Sequence, residues 1–204
     1  MSVDYLQYVE VPEDKEERMK YIYKKLNITK KDEIKIQEEL DRIKEARKNR
    51  EEIKMTFYIV PEGIARPRKG WKGHFYVPNI QQFYDIMNAY LIKHKELEDM
   101  KIISEYHMSC KYYRPITSDM TKVDKVLAEK KAITNIKKPD WDNLGKSTDM
   151  LHKIVLDDAL ATDVRVRKYF SFKPRIEIRI IYYKEPICSY HKKIIKKYLK
   201  KFVK

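Results

Sequence analysis

"KKPDWDNLGKSTDMLHKIVLDDA", Lys137 to Ala159, is the stretch on which the reading of this chain turns. Inside it GKST, Gly145 to Thr148, has the look of the end of a phosphate-binding loop. Such a loop needs a further glycine with four residues between it and the Gly-Lys pair, because backbone amides must wrap the phosphates. That position holds Asp140, whose carboxylate repels phosphate, and bulky Trp141 and Leu144 fill the interval. No hydrophobic strand runs into a glycine-rich turn either, so the nucleotide cradle is set aside.

The acids of the same stretch suggest different chemistry. Asp140 and Asp142 are two apart, and in an extended segment such residues point to the same side. Pro139 biases Lys138 towards extended backbone, so the two carboxylates are expected to converge just before a helix over about Asn143 to Val155. Asp142 is a candidate N-cap, where negative charge suits the helix N-terminus. Lys146, four residues on, falls on the same helical face. Beyond the helix, Asp157 and Asp158 sit side by side at a turn. Carboxylates gathered in this way repel one another unless a cation binds among them. An oxygen-only ligand set selects a hard cation, Mg²⁺ or Mn²⁺. The neighbourhood is otherwise basic, with Lys137, Lys138, Lys146, Lys153, Arg165, Arg167 and Lys168. Acids inside a cationic field are what metal-assisted hydrolysis of a phosphodiester requires. A lone D-x-D also reads as a turn or a helix cap. The spacing alone is compatible with a metal-dependent glycosyltransferase, against which the charge argues.

That charge is large. The 204 residues carry a net charge of +14, with 37% charged and 43% hydrophobic residues. A core is therefore available, and the surface favours a polyanion, nucleic acid above all. No stretch has the length and apolarity of a transmembrane span or a signal peptide, which argues against a membrane partner. The two cysteines, Cys110 and Cys188, read as reduced thiols of a cytoplasmic protein rather than a disulfide. With five scattered histidines they offer no zinc pattern.

Outward from the acidic stretch, three regions are expected. Residues 1–52 form a helical extension, with helices over Asp14–Leu26 and Asp32 to about Arg50. In the second, Ile36, Leu40, Ile43 and Arg47 follow helical spacing, and Thr29 or Asp32 caps its start. Residues 53–187 form the main domain. It opens with the β-rich run MTFYIV, Met55 to Val60, and continues into the basic loop "PEGIARPRKGWKGHFYVP", Pro61 to Pro78, which holds three of the four glycines. Arg66, Arg68, Lys69 and Lys72 beside Trp71, His74, Phe75 and Tyr76 suit phosphates and unstacked bases. A helix is expected over Asn79–Glu98, with Phe83, Ile86, Met87, Tyr90 and Leu91 on its core face. A strand is expected over Lys101–Tyr113, then a polar loop with a short helix over Arg114–Thr134. The alternation of Val164, Val166 and Phe170, and then of Ile176, Ile178 and Ile180, predicts two strands. The short link through Lys173 and Pro174 predicts that they pair as an antiparallel hairpin. Residues 188–204 end in "HKKIIKKYLKKFVK", a lysine-rich helix whose Ile194, Ile195, Tyr198, Leu199 and Phe202 share one face, expected to dock on its own domain.

The stretch from Lys137 to Ala159 resembles the RusA family of Holliday junction resolvases, found in bacteria and their phages. The carrying residues are Asp140, Asp142, Asn143, Leu144, Lys146, Asp157 and Asp158, followed by the two C-terminal strands; "VPEGIARPR", Val60 to Arg68, resembles the family's first strand and basic loop. The chain departs from the family pattern at Leu160, where a polar residue is usual after the Asp pair. The resemblance implies an α/β (α+β) fold: a small mixed sheet with packed helices and a C-terminal antiparallel hairpin, here preceded by the helical extension. It implies a homodimer that resolves four-way or related branched DNA by metal-dependent phosphodiester hydrolysis, using Mg²⁺ or Mn²⁺. Asp140, Asp142 and Asp158 would be the catalytic and metal-binding acids, Asp157 a neighbouring ligand, and Lys146 the essential lysine. Arg66, Arg68, Lys69, Lys72, Lys137, Lys138, Arg165, Arg167 and Lys168 would hold the DNA. The competing reading is a non-catalytic DNA-binding protein of the same fold, whose acids only cap a helix and a turn.

Overall fold

A computed structural model of the chain describes residues 12–64, 68–69, 75–76, 80–97 and 100–202. Contacts divide the chain into two units, Met1–Glu45 and Ala46–Lys204. The first holds α1 (Lys15–Lys25) and most of α2 (Lys30–Lys48). Asp14 caps α1 by accepting from the amides of Glu16 and Glu17 at 2.9 Å each. At α2, Thr29 and Asp32 bond reciprocally, the Thr29 hydroxyl donating to Asp32 at 2.6 Å and accepting from its amide. Neither helix has a buried residue. Local caps and charge pairs therefore carry them, as their solvated sequence leads one to expect.

The second unit runs β1 (Arg50–Phe57), β2 (Arg68–Lys69), β3 (Phe75–Tyr76), α3 (Ile80–Lys93), β4 (Tyr106–Pro115), α4 (Lys122–Glu129), α5 (Trp141–Gly145), a 3-10 helix (Lys146–Lys153), β5 (Ala161–Ser171), β6 (Arg175–Tyr183) and α6 (Ser189–Phe202). The main sheet has the order β1-β6-β4-β5. β6 is antiparallel to both β1 and β4, while β4 and β5 are parallel. β2 and β3 form a two-residue ribbon of their own. This is the mixed α+β architecture expected.

One element of that expectation is corrected. β5 and β6 run in opposite senses across a short link, but they do not pair as a hairpin, because β4 lies between them. Burial explains the order. β4 buries Tyr106, Met108, Cys110 and Tyr112, and β6 buries Ile176, Ile178, Ile180 and Tyr182, so both take central places. β5 leaves Val164 half-exposed and serves as an edge. The link can pass the end of β4 because that strand stops at Pro115, which has no amide to extend the ladder.

The register sorts side chains into two faces. Met55, Ile178, Cys110 and Val166 share one cross-sheet row, and Ile53, Ile180, Met108 and Val164 the next. This inner face meets Phe83, Met87 and Leu91 of α3, with Leu144, Met150, Leu151 and Ile154 from the segment that carries the acids. Between these rows lie Lys54, Arg179, Ser109 and Arg165, and beyond them Thr56, Glu177, Lys111 and Arg167, all on the opposite, polar face. α6 joins the core through buried Ile195, with Tyr198 packed against it. Cys110 and Cys188 are free thiols, and burial pushes that of Cys110 up to about 12. Among the described residues no helix is long and apolar enough to cross a membrane.

Candidate active site

The acidic stretch does not form one continuous α-helix. Asp140 is extended, at φ −67° and ψ 158°, and α5 begins immediately after it at Trp141. The five-residue α5 gives way at Lys146 to the 3-10 helix. Two hydroxyls tighten this turn: Ser147 donates to the Leu144 carbonyl and Thr148 to that of Gly145, each at 2.7 Å. Ser147 also meets the buried hydroxyl of Tyr112 at 3.0 Å, which fastens the turn to β4. GKST is thus a hydroxyl-braced turn with its serine fully buried, and its two hydroxyls bond the fold rather than cradle a nucleotide phosphate.

The early start of α5 separates the two acids expected to converge. With 3.6 residues per turn, side chains two apart in a helix diverge by about 200°, whereas in a strand they align. Asp140 opens onto a cleft with Glu62, Arg114, Lys138 and Asn143. Asp142 lies on a different recess, shared with Lys146, Asp149, Asp157 and Asp158. The cleft wall is held by segment 61–64: the Ile64 amide donates to the Asn143 carbonyl at 2.9 Å. A Cβ on Gly63 would lie 2.6 Å from that of Pro139, so only glycine permits this approach.

Within the recess, Lys146 reaches Asp142 at 3.8 Å and donates to Asn143 Oδ1 at 3.0 Å. Asp157 is occupied locally: it caps the turn Asp158–Leu160 by accepting from the Ala159 amide at 2.8 Å. Asp158, exposed one residue further, makes no side-chain hydrogen bond among the described residues. The backbone behind these acids is pinned by Ile102, whose amide donates to Ile154 and whose carbonyl accepts from Leu156.

Asp149 is a member of the recess that the sequence reading missed. Its signal was present, since Asp142, Lys146 and Asp149 are spaced i, i+4, i+7 along one helical face. The 3-10 winding, in which residues three apart eclipse, then sets Asp149 in line with Lys146 and His152. Partial burial and the negative charge of Asp158 push its carboxyl above the usual aspartate value, with His152 and Lys146 acting the other way. Burial, followed by Asp158 and Asp157, raises Tyr106 to about 12.

A raised carboxyl makes the folded state bind more protons than the unfolded chain between the ordinary aspartate value and the raised one. Stability from this group therefore falls as pH rises through that window. Without divalent ions, Asp149→Asn is expected to stabilise the protein near pH 7 by less than about 1 kcal/mol, screening being strong at this solvent-facing position. The gain should shrink towards pH 4. Urea midpoints of the two proteins at both pH values check this, and an equal difference at both would remove the crowding of Asp149.

The cations of the predicted DNA-binding set are dispersed. Arg165 and Arg167 lie on the polar face of the sheet, whereas Val164 and Val166 of the same strand line the acidic recess. Arg165 pairs with Asp163 at 3.1 Å. Lys168 donates to the carbonyls of Lys137 and Pro139 at 3.0 Å each and so holds the turn before α5. Lys137 pairs with Asp119 at 2.7 Å. Lys138 stands at the Asp140 cleft, where its carbonyl accepts from Arg114. Lys69 is exposed. Arg66 and Lys72 lie outside the described residues, as do Trp71 and His74, and for Arg68 only the backbone is described.

No three of the described histidine, cysteine, aspartate and glutamate side chains come together closely enough to hold a metal ion between them. The recess nonetheless suits Mg²⁺ in its chemistry. Its donors are carboxylate oxygens, its acids Asp149 and Asp158 repel one another, and Mg²⁺ is commonly held by one or two carboxylates together with waters and substrate phosphates.

Against known proteins, residues 59–181 match the family model described as endodeoxyribonuclease RusA. The uncharacterized protein YqaN of Bacillus subtilis (strain 168) is 33% identical over 135 residues, covering 63% of this chain and 94% of that protein.

Proposed function

We propose, from the premise that this chain belongs to the RusA family of endodeoxyribonucleases, that it resolves Holliday junctions or related branched DNA by Mg²⁺- or Mn²⁺-dependent phosphodiester hydrolysis. The observation that carries the reading is that Asp142, Lys146 and Asp158, from either end of one short helical segment, line a single recess. Asp142 and Asp158 are the residues that would hold the cation. Asp140 approaches the same turn from its other side, and Asp157 steadies the backbone at Asp158. When bound, the ion supplies an activated water and neutralises charge at the phosphate. Lys146, steered by Asn143 and Asp142, donates to a non-bridging phosphate oxygen as negative charge builds there. The net charge of +14 draws the polyanion in. A homodimer supplies one such site to each half of a two-fold junction, in the cytoplasm of a bacterium whose gene, or whose phage, encodes the chain.

A labelled four-way junction and a linear duplex, incubated at fixed salt with and without Mg²⁺, test this directly. Paired nicks near the branch that require the ion are expected. Tight junction binding with no product in Mg²⁺ or Mn²⁺ would favour the competing reading, a non-catalytic binder, for which the capping duty of Asp157 is the supporting observation. Lys146→Ala is expected to slow nicking about 100-fold, the range for removal of one donor to developing charge, while changing junction affinity less than about threefold. Equal losses in rate and affinity would reduce Lys146 to a phosphate contact.

A further inference from the structure

The recess that holds the acids has an aromatic wall left uncovered. Trp141, the first residue of α5, is 65% exposed, yet lines the same recess as Asp142 and Lys146. Of the other aromatic side chains there, Tyr106 is buried and Tyr84 sits edge-on against His152 at 5.0 Å. The indole is not needed to anchor its helix, because Leu144, fully buried, does that. Of the other exposed aromatics among the described residues, Tyr58 lies under the Lys173 ammonium at 4.3 Å and Tyr190 beside His191, while Phe172 stands at the link between β5 and β6, away from the recess. Trp141 thus offers a bare, rigid ring face next to carboxylates and a lysine.

We infer that Trp141 is a stacking surface for a nucleobase left unstacked at the branch of the DNA and biases the protein towards branched over linear substrate. This rests on the function proposed above and adds the feature of the substrate that is read. Bases at a branch have lost a stacking neighbour, and an indole replaces it. Within a linear duplex every base is already stacked, so the ring gains nothing. Stacking of this kind is tolerant of sequence, because every base has a π-face, and its loss on alanine substitution weakens binding about 5- to 150-fold per base. Lys153, on the same recess, suits a phosphate flanking such a base.

The test is binding of the full chain in EDTA, which prevents cleavage, at fixed salt. The probes are a four-way junction with 2-aminopurine at the branch and a linear duplex with the same base internal. The native chain should quench the branch 2-aminopurine and prefer the junction. Trp141→Ala should lower the junction-to-duplex affinity ratio about tenfold and remove the quenching, while Trp141→Phe keeps most of both. Unfolding midpoints should coincide, since the indole contributes little to the core. An unchanged ratio and unchanged quenching in Trp141→Ala, or equal weakening for junction and duplex, would overturn the inference. Preferential binding with Trp141-dependent quenching but no Mg²⁺-dependent nicks would uphold the stacking while ending the nuclease proposal. No preference of the native chain for branched DNA would end both.

Discussion

Asp158→Asn is expected to abolish nicking of branched DNA while leaving junction binding intact or stronger. Asp158 is exposed, makes no side-chain hydrogen bond among the described residues, and is next to the residue that caps the turn. Asparagine therefore keeps the shape and leaves the fold undisturbed. The substitution removes one of the two charges that would hold the cation. Loss of metal-assisted chemistry forfeits several kcal/mol of transition-state stabilisation, or about 1000-fold and more in rate. Binding moves in the opposite direction because one negative charge facing the phosphates is gone. Asp142→Asn should behave alike, with an additional loosening of Lys146, its ion-pair partner. Single-turnover cleavage and gel-shift titration of the same preparations measure the two effects separately. Parallel loss of binding and cleavage would make these acids structural.

The second large effect is predicted at Leu144. This side chain is fully buried beneath the α5 turn that carries Asp142 and Lys146. A five-residue helix cannot hold itself in water, since helix nucleation is costly and pays back only over several turns. Its place is kept by Leu144, by the Ser147–Tyr112 bond and by the Ile64 amide on the Asn143 carbonyl. Leu144→Ala should cost about 2–5 kcal/mol, the range for emptying a packed leucine site. Leu144→Met should cost less than about 1.5 kcal/mol. Urea unfolding measures both, and nicking should fall with the alanine variant even at temperatures where it remains folded, because the acids lose their floor. A change below about 1 kcal/mol for Leu144→Ala would show that this helix is held from elsewhere.

Much of this was legible in the residues because it depends on local chemistry. The N-terminal helices carry their own caps, Asp14 and the Thr29–Asp32 pair. The inward row Ile176–Ile178–Ile180 follows period-two alternation, whereas the β-rich run read over Met55 to Val60 proves to be the end of a strand that starts at Arg50 and stops at Phe57. The i, i+4 contact of Lys146 with Asp142 follows helical spacing. The same local reasoning went astray where neighbours in sequence compete with burial. Val164 and Val166 beside Ile176 and Ile178 read as a hairpin, but β4 buries more and takes the place between them. Asp140 and Asp142 read as one extended pair, but α5 starts between them and turns them onto separate clefts.

By itself, then, the sequence determined the chemistry on offer: an oxygen-rich, lysine-assisted acidic stretch in a strongly cationic chain, within the pattern of one nuclease family. Residue type, charge and spacing along a single helix are properties of the covalent chain, and they survive any packing. Only the tertiary structure decided which carboxylates share a recess, that Asp149 joins them, that Arg165 and Arg167 face the other side of the sheet, and that Trp141 stands bare beside the acids. Those outcomes depend on where a helix begins and which strand wins the centre of the sheet. Both are settled by burial of distant apolar residues, Leu144 against the core and β4 between β5 and β6, rather than by the order of neighbours in the chain.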